Sequence, residues 1–184
     1  MPRATLAKTK DIMADEGNIL TDLGNGATDG NGSDTQPTIG LISQYVKDLS
    51  VENPNAPKSY QWGDQPQLDV QFNIQSNQID GEVHEVALKV TCTAKAPQGT
   101  AYIVEATYCG LIGIRNVPEA QSHAFLFAEA PRILFPFLRR VVADAVRDAG
   151  YAPLLLDPID FAGLYQQQME QRRRENTQPP AGDA

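Results

Sequence analysis

Apolar and polar residues alternate strictly along the middle of the chain. In LDVQFNIQ, residues 68–75, every even position is apolar and every odd position is polar, which is the period of a strand with one wet face. The next stretch, EVHEVALKVTCTAKA, continues the rule, and its odd positions from Glu85 to Lys95 are predicted to face water. SNQIDGE and APQG supply the turn residues after each run. With the run that follows, these segments predict a three-stranded antiparallel meander.

The third run, TAYIVEATYCGLIGI, does not alternate cleanly. Its even positions, Tyr102 to Tyr108, suit the core. On the other face, Ile103 lies beside Glu105, although that face should be wet. Apolar residues on both faces favour a strand that also contacts a partner.

Helical periodicity begins in EAPRILFPFLRRVVADAVRDAG. Pro131 is placed for a first helical position, Gly150 for the residue just past the end, and Pro136 for an early kink. The apolar positions form two stripes, wider than a helix on a single sheet needs. We therefore expect a second subunit to cover one stripe, and the chain to be a homo-oligomer. The apolar positions are Ile133, Leu134, Phe137, Leu138, Val141, Val142, Ala145, Val146 and Ala149.

A second helix is predicted after LLLDPID, beginning at Asp157 or at Asp160. Phe161, Leu164 and Tyr165 would lie along one side of it. From residue 169 the sequence becomes a polar stretch, which we interpret as a flexible C-terminal tail, 169–184.

Before the meander, YVKDLSVENPNAP reads as a strand with two carboxylates on one face, Asp48 and Glu52. Four strand residues separate their Cα atoms by roughly 13 Å. Catalytic carboxylate pairs in glycoside hydrolysis stand at roughly 5 to 9.5 Å. The spacing therefore favours a docking surface over acid–base catalysis.

Charge narrows the class of partner. The 184 residues carry a net charge of −8, which argues against nucleic acid and favours a basic protein partner. No apolar run approaches the ~18 residues that span a bilayer, and no signal-peptide core is present. We therefore expect a cytosolic protein that does not insert into a membrane. Residues 1–40 include GNGATDGNGSD and are predicted to be a disordered acidic extension. Because MADEGN opens a stretch without basic residues, translation starting at Met13 is a further expectation.

No catalytic or metal-binding arrangement stands out. His84 lies in the core-facing register of its strand and His123 precedes the long helix, neither at metal-ligand spacing. Cys92 and Cys109 are interpreted as reduced, small apolar residues. We expect no enzyme activity, catalytic residue, metal or cofactor.

Residues 41 to about 168 resemble the bacterial protein-export chaperone SecB family. The resemblance rests on YVKDLSVENPNAP, QPQLDVQFNI, TAYIVEATYCGLIGI and EAPRILFPFLRRVVADAV with GYAPLLLDPIDFAGLY, in unbroken order. It implies an α+β fold, a four-stranded antiparallel Greek-key sheet with two helices packed on one face, flanked by disordered tails. It also implies a cytosolic homotetramer, a dimer of dimers, that holds unfolded precursor proteins without ATP and delivers them to the SecA ATPase, whose zinc-bearing C-terminal segment is basic.

The resemblance also implies three sets of site residues. SecA would bind Asp48, Glu52, Ile103 and Glu105. Positions that affect assembly in the family match Val104, Ala106 and Tyr108, and the long helix adds Phe137 and Val141 to the expected oligomer interface. A client-binding groove would be formed by Tyr60, Trp62, Leu155, Ile159, Phe161 and Tyr165. Trp62 departs from the family pattern, because Asp64 stands where the family places the loop tryptophan.

Two other functions remain open. One is a SecB-like holdase that serves another client system, such as an antitoxin, without docking on SecA. The other is a small hydrolase on an antiparallel sheet, which the absent motifs disfavour.

Overall fold

The computed structural model describes residues 35–177, with side chains described to residue 174. Four strands are followed by helices. The strands are β1 (Thr38–Glu52), β2 (Gln67–Asp80), β3 (Val83–Ala96) and β4 (Gly99–Arg115). The helices are α1 (Glu119–Ala124), α2 (Ala130–Asp148) and α3 (Phe161–Thr177), and a 3-10 turn lies at Lys58–Gln61. Of the segments predicted to be disordered or flexible, 1–40 and 169–184, residues 1–34 and 178–184 lie outside the described residues, as does the expected start at Met13. β1 begins at Thr38, before the predicted boundary at residue 40.

The four strands form one antiparallel sheet in the order β1-β4-β3-β2. The long connection from β1 to β2 therefore returns the first strand to lie beside the fourth, which confirms the Greek-key prediction. The predicted turns also form: Gly81, with φ of 45°, lies between β2 and β3, and Gly99, with φ of 146°, opens β4. We call the sheet side that packs on the helices the core face and the opposite side the outer face.

Strand alternation places the even positions of β3 and β4 on the core face, as predicted. Two details differ. Glu85, expected to face water, is on the outer face but only 6% exposed, because side chains from β1 reach across to it. Leu68 and Val70 lie on the core face yet are exposed, since β2 is an edge strand that the helices cover only over its second half.

The long helix begins earlier than Pro131. α1 leads through a π-helical turn, Phe125–Glu129, directly into α2, so that Pro131 lies inside a continuous helix. The wide turn just before the proline accommodates a residue that has no N–H to donate. Pro136 also lies within α2. The predicted end is correct: Gly150 adopts φ of 89° and its N–H donates to the Arg147 carbonyl at 2.9 Å.

α3 begins at Phe161, where Asp160 accepts a hydrogen bond from the Gly163 N–H at 3.0 Å. Of the two predicted start signals, Asp160 is therefore the one that is used. The helix continues past residue 168 to Thr177. Phe135 joins it to the sheet, with ring centroids 6.0 Å from Phe72 and 5.7 Å from Phe161.

Cys92 and Cys109 are free and buried. Cys92 pairs with Val104 on the core face, whereas Cys109 pairs with Tyr45 on the outer face. The pKa of each thiol is raised to about 11, chiefly by burial.

Within residues 35–177, no helix has both the length and the apolar character needed to cross a bilayer.

Candidate functional site

The outer face of β1 and β4 brings the predicted SecA-binding residues together. Glu52 lies opposite Ile103, and two residues farther along each strand Ser50 lies opposite Glu105. After two more residues on each strand, Asp48 lies opposite Thr107. Since directly opposed residues share a face, all four predicted side chains lie on one surface. We call Asp48, Glu52, Ile103 and Glu105 the acidic row.

The charges of the acidic row are unequally neutralised. Glu105 accepts from Lys89 at 3.1 Å and from Thr91 at 3.3 Å. Asp48 and Glu52 are exposed, and within residues 35–177 neither makes an ion pair. The free negative charge of this surface is therefore concentrated on β1.

A buried carboxylate lies farther along the same face. Glu85 on β3 accepts from the Tyr45 hydroxyl and from Lys47 Nζ, the latter at 2.6 Å. These hydrogen bonds, from Lys47 first and Tyr45 second, hold the pKa of Glu85 below its usual range, against the opposing effect of burial. The same bond raises the pKa of Tyr45 to about 12. We call Tyr45, Lys47 and Glu85 the Glu85 clamp; the sequence suggested no role for it.

On the core face, a cleft of about 530 Å³ lies between β2, the π-helical turn and α3. We call it the helix cleft. Its wall is aromatic: His123 Nδ1 lies 2.8 Å from the Tyr165 hydroxyl, and its ring centroid is 4.6 Å from that of Phe127. Phe161, buried, and Tyr165 are the predicted client residues found here. The other apolar lining residues are Phe72, Ile74, Leu164 and Met169.

A second cleft, of about 250 Å³, lies under the connection between β1 and β2. We call it the loop cleft. Tyr60 and Trp62, both predicted client residues, line it together with Tyr151. The Tyr151 hydroxyl lies 2.7 Å from Ser59 Oγ, 2.9 Å from Asn53 Oδ1 and 3.0 Å from the Ala101 carbonyl. This network ties the connection to the end of α2.

Two segments run from one cleft to the other. β2 starts beside Pro66 in the loop cleft and reaches Phe72 in the helix cleft, and the non-helical segment 152–160 makes the same passage. Leu155, on that segment, is 67% exposed, whereas Ile159 is half-buried against the core. The six predicted client residues are thus divided between two clefts and the segment that joins them.

Sequence reasoning missed part of this surface. Leu68 and Val70 are exposed on the same stretch of β2, and Phe127, Leu164 and Met169 add apolar area in or beside the helix cleft. An edge strand with an unbroken apolar face, in a chain with few helices to cover it, was the signal available in the sequence.

The predicted oligomer residues occupy two layers. Val104, Ala106 and Tyr108 are buried on the core face within the protomer. Phe137 is exposed and stacks on Tyr108, with ring centroids 6.0 Å apart and planes at 10°, and Val141 beside it is half-buried. Each of the three β4 residues is paired with an exposed β1 residue that the sequence did not single out: Val51, Leu49 and Val46.

Among residues 35–177, no three His, Cys, Asp or Glu side chains gather where they could hold a metal ion.

Comparisons with known proteins agree with this architecture. A family model described as "Preprotein translocase subunit SecB" matches residues 32–172. Protein-export protein SecB of Novosphingobium aromaticivorans is 63% identical over 175 residues, covering 94% of this chain and 100% of its own length. Its counterpart in Erythrobacter litoralis is 58% identical over 178 residues, with the same coverage of both chains.

Among solved structures, a SecB-like chaperone of Mycobacterium tuberculosis, in complex with a peptide from an antitoxin, superposes with a TM-score of 0.56. It is 15% identical, and the match covers 66% of this chain and 90% of that one. At this identity the similarity concerns the fold. The family model and the identities of the two relatives carry the assignment: the chain belongs to the SecB family of protein-export chaperones.

Proposed function

We propose that the protein is an ATP-independent cytoplasmic holdase that binds unfolded precursors and delivers them to SecA, without catalysing a reaction. The observation that carries the delivery step is the acidic row. Two exposed, unpaired carboxylates, Asp48 and Glu52, lie on the outer face of β1, and Glu52 is directly opposite the half-buried Ile103 of β4. No helix within residues 35–177 covers the outer face of this strand pair. A basic partner would gain charge attraction from the acids and apolar contact from the isoleucine.

Client binding is proposed on the core face, along β2 from the loop cleft to the helix cleft. From Leu68 to Ile74 the strand spans roughly 20 Å, enough for about six extended residues of a client. The surface is apolar and aromatic, with Leu68, Val70 and Leu155 exposed along it. Such a surface selects apolar, extended segments without reading a defined sequence.

Assembly is proposed to be a homotetramer, a dimer of dimers, in which a second copy covers the exposed side of α2. Phe137 and the β1 residues Val46, Leu49 and Val51 leave apolar side chains exposed on the core-face side. Val104, Ala106 and Tyr108 would act indirectly, because they support these residues from inside the protomer.

Binding of SecA tests the delivery step. The variant Asp48→Ala with Glu52→Ala should bind SecA about tenfold or more weakly at low salt, since it loses both unpaired charges. The matched control is Asp80→Ala with Asp148→Ala, which removes the same charge from exposed positions at the end of β2 and of α2. Both variants should still suppress aggregation of an unfolded precursor without nucleotide.

Unchanged SecA affinity of the Asp48 and Glu52 variant would contradict the docking assignment. If the protein also held precursors, a holdase serving another client system, as in the antitoxin complex of the structural neighbour, would become the better description.

A further inference from the structure

The alternation of side chains between the two faces of the sheet is interrupted in the middle of β1. Tyr45 lies opposite Cys109 and Val46 opposite Tyr108, but the next pair is Asp48 opposite Thr107. Lys47 is therefore an extra residue on β1 with no partner of its own on β4, which is the definition of a β-bulge.

The bulge decides which side chains reach the outer face. In an unbroken strand, residues three apart point to opposite faces, so Tyr45 and Asp48 could not share one. With Lys47 inserted, both lie on the outer face, and Leu49 and Val51 lie on the core face. Without the bulge, a one-residue slip would exchange the two sets and turn Asp48 and Glu52 away from the outer face.

The bulged residue Lys47 and its neighbour Tyr45, two positions earlier, are both anchored to Glu85. The Tyr45 hydroxyl and Lys47 Nζ reach over β4 to Glu85 on β3. Cys109, which lies opposite Tyr45 on the outer face, is 0% exposed. Glu85 is 6% exposed, so its charge depends on these two donors, because a buried carboxylate without hydrogen bonds is costly.

From this geometry we infer that the Glu85 clamp is a positioning device: it fixes the bulge at Lys47 and thereby holds Asp48 and Glu52 on the outer face for docking. The inference rests on the proposed function of the acidic row. Glu85 itself is too deeply buried to contact a partner, and the clamp acts through the register of β1.

Substitution of Lys47 distinguishes the positioning role from simple electrostatics, because the two predict opposite changes in the affinity for a basic partner. Lys47→Met removes a positive charge beside the acidic row, so charge alone predicts tighter binding of a basic partner. Loss of the positioning device predicts weaker binding. Lys89→Met is the matched control, because Lys89 also pairs with an outer-face carboxylate, Glu105, but lies on a strand without a bulge at that point.

The experiment measures SecA affinity at low salt for the Lys47 and Lys89 variants, for Tyr45→Phe, and for Lys47→Arg as the rescue. We expect about threefold or more weaker binding by Lys47→Met and Tyr45→Phe, since each loses a hydrogen bond to a charged group. Lys47→Arg should bind like the parent protein, and Lys89→Met as tightly or more tightly. Unchanged or tighter binding by Lys47→Met overturns the positioning role.

A partner-independent measurement separates this inference from the docking proposal. Alkylation of Cys109, mapped by peptide mass spectrometry, should be about tenfold or more faster in the Lys47→Met and Tyr45→Phe variants, because local opening governs access to a buried thiol. Cys92, on the core face, should be unaffected and serves as the internal control. If the Asp48 and Glu52 variant binds SecA normally, the docking proposal fails and the thiol result alone decides on the clamp. An unreactive Cys109 in both clamp variants overturns it.

Discussion

Tyr60 lies directly over Gly150. Its hydroxyl donates to the Ala149 carbonyl at 2.9 Å, and a Cβ added to Gly150 would stand 3.1 Å from the tyrosine ring. Gly150 also has φ of 89°, a conformation that side-chain-bearing residues rarely adopt. The end of α2 and the wall of the loop cleft therefore depend on the same glycine.

Gly150→Ala should destabilise the protein by about 1–3 kcal/mol, because it adds backbone strain and displaces Tyr60. Urea unfolding measures the loss, and Trp62, the single tryptophan, reports on the loop cleft by its fluorescence. Gly63→Ala is the control: no atom lies within 4 Å of the added Cβ. Equal stability of the two variants would contradict this account of Gly150.

Tyr151→Phe should cost about 1–3 kcal/mol, since it leaves buried polar groups of the loop network without a partner. Ser59 is the group most affected, because it is buried and its hydroxyl lies 2.7 Å from that of Tyr151. A double-mutant cycle with Ser59→Ala isolates the pair, and a favourable coupling energy is expected. Strictly additive losses would show that the two hydroxyls do not act together.

Acid should weaken the protein partly through Glu85. Its folded-state pKa is lowered by hydrogen bonds from Lys47 and Tyr45. It therefore contributes stability above its unfolded pKa, about 4.3, and this contribution is lost as the pH falls through the lower folded value. Denaturant unfolding at a series of pH values from neutral to below about 4.3, the unfolded pKa, should show the stability gap between the parent and Glu85→Gln narrowing towards the acid end. A gap independent of pH would mean that the charge of Glu85 does not carry the effect.

Tyr45 gives the matching expectation at high pH. Because its pKa is raised to about 12, chiefly by the bond to Glu85, the neutral phenol contributes stability fully below about 10, its usual value, and loses it as the pH rises through about 12. Ultraviolet titration of tyrosinate should lose its highest-pH component in Tyr45→Phe. Persistence of that component would assign it to another tyrosine, of which Tyr102 also has a raised pKa through burial.

The two cysteines should remain unlinked under oxidising conditions. Cys92 and Cys109 lie on opposite faces of the sheet, so their thiols cannot meet in the folded protein. With pKa values of about 11 and full burial, both should also label slowly at neutral pH. Non-reducing electrophoresis after mild oxidation should show no intramolecular bridge, and labelling of both should become fast in denaturant.

The strands and their order could be predicted because strand alternation and turn residues are local signals. The same holds for Gly150 and Asp160, whose roles at helix ends depend on their immediate neighbours. The early start of the long helix could not be predicted, because a proline normally marks the first turn of a helix. The π-helical turn at Phe125–Glu129, which continues the helix past the proline, depends on packing.

That the four residues of the acidic row share one sheet face was predictable, but their environment was not. The ion pair of Glu105 and the burial of Glu85 arise from side chains on other strands, at sequence separations of 16 to 40 residues. The bulge at Lys47 was missed because the stretch was interpreted as one unbroken strand, although the core-facing positions change from the even residue Val46 to the odd residues Leu49 and Val51. The exposed Leu68 and Val70 depend on how far the helices reach, which no local pattern encodes.

The alternation of β4 has a consequence for how the two surfaces can change over time. Glu105 and Ile103 point to one side, and Val104 and Ala106 to the other, so each side chain belongs to a single surface. The helix cleft lies on the core face beside β2, whereas the acidic row lies on the outer face of β1 and β4, at the other edge of the sheet, so a client in that cleft would not contact a partner on the acidic row. Under the proposed function, substitutions that change client preference in the clefts would leave the docking surface unaltered, and one protomer would bind a client and a partner at the same time.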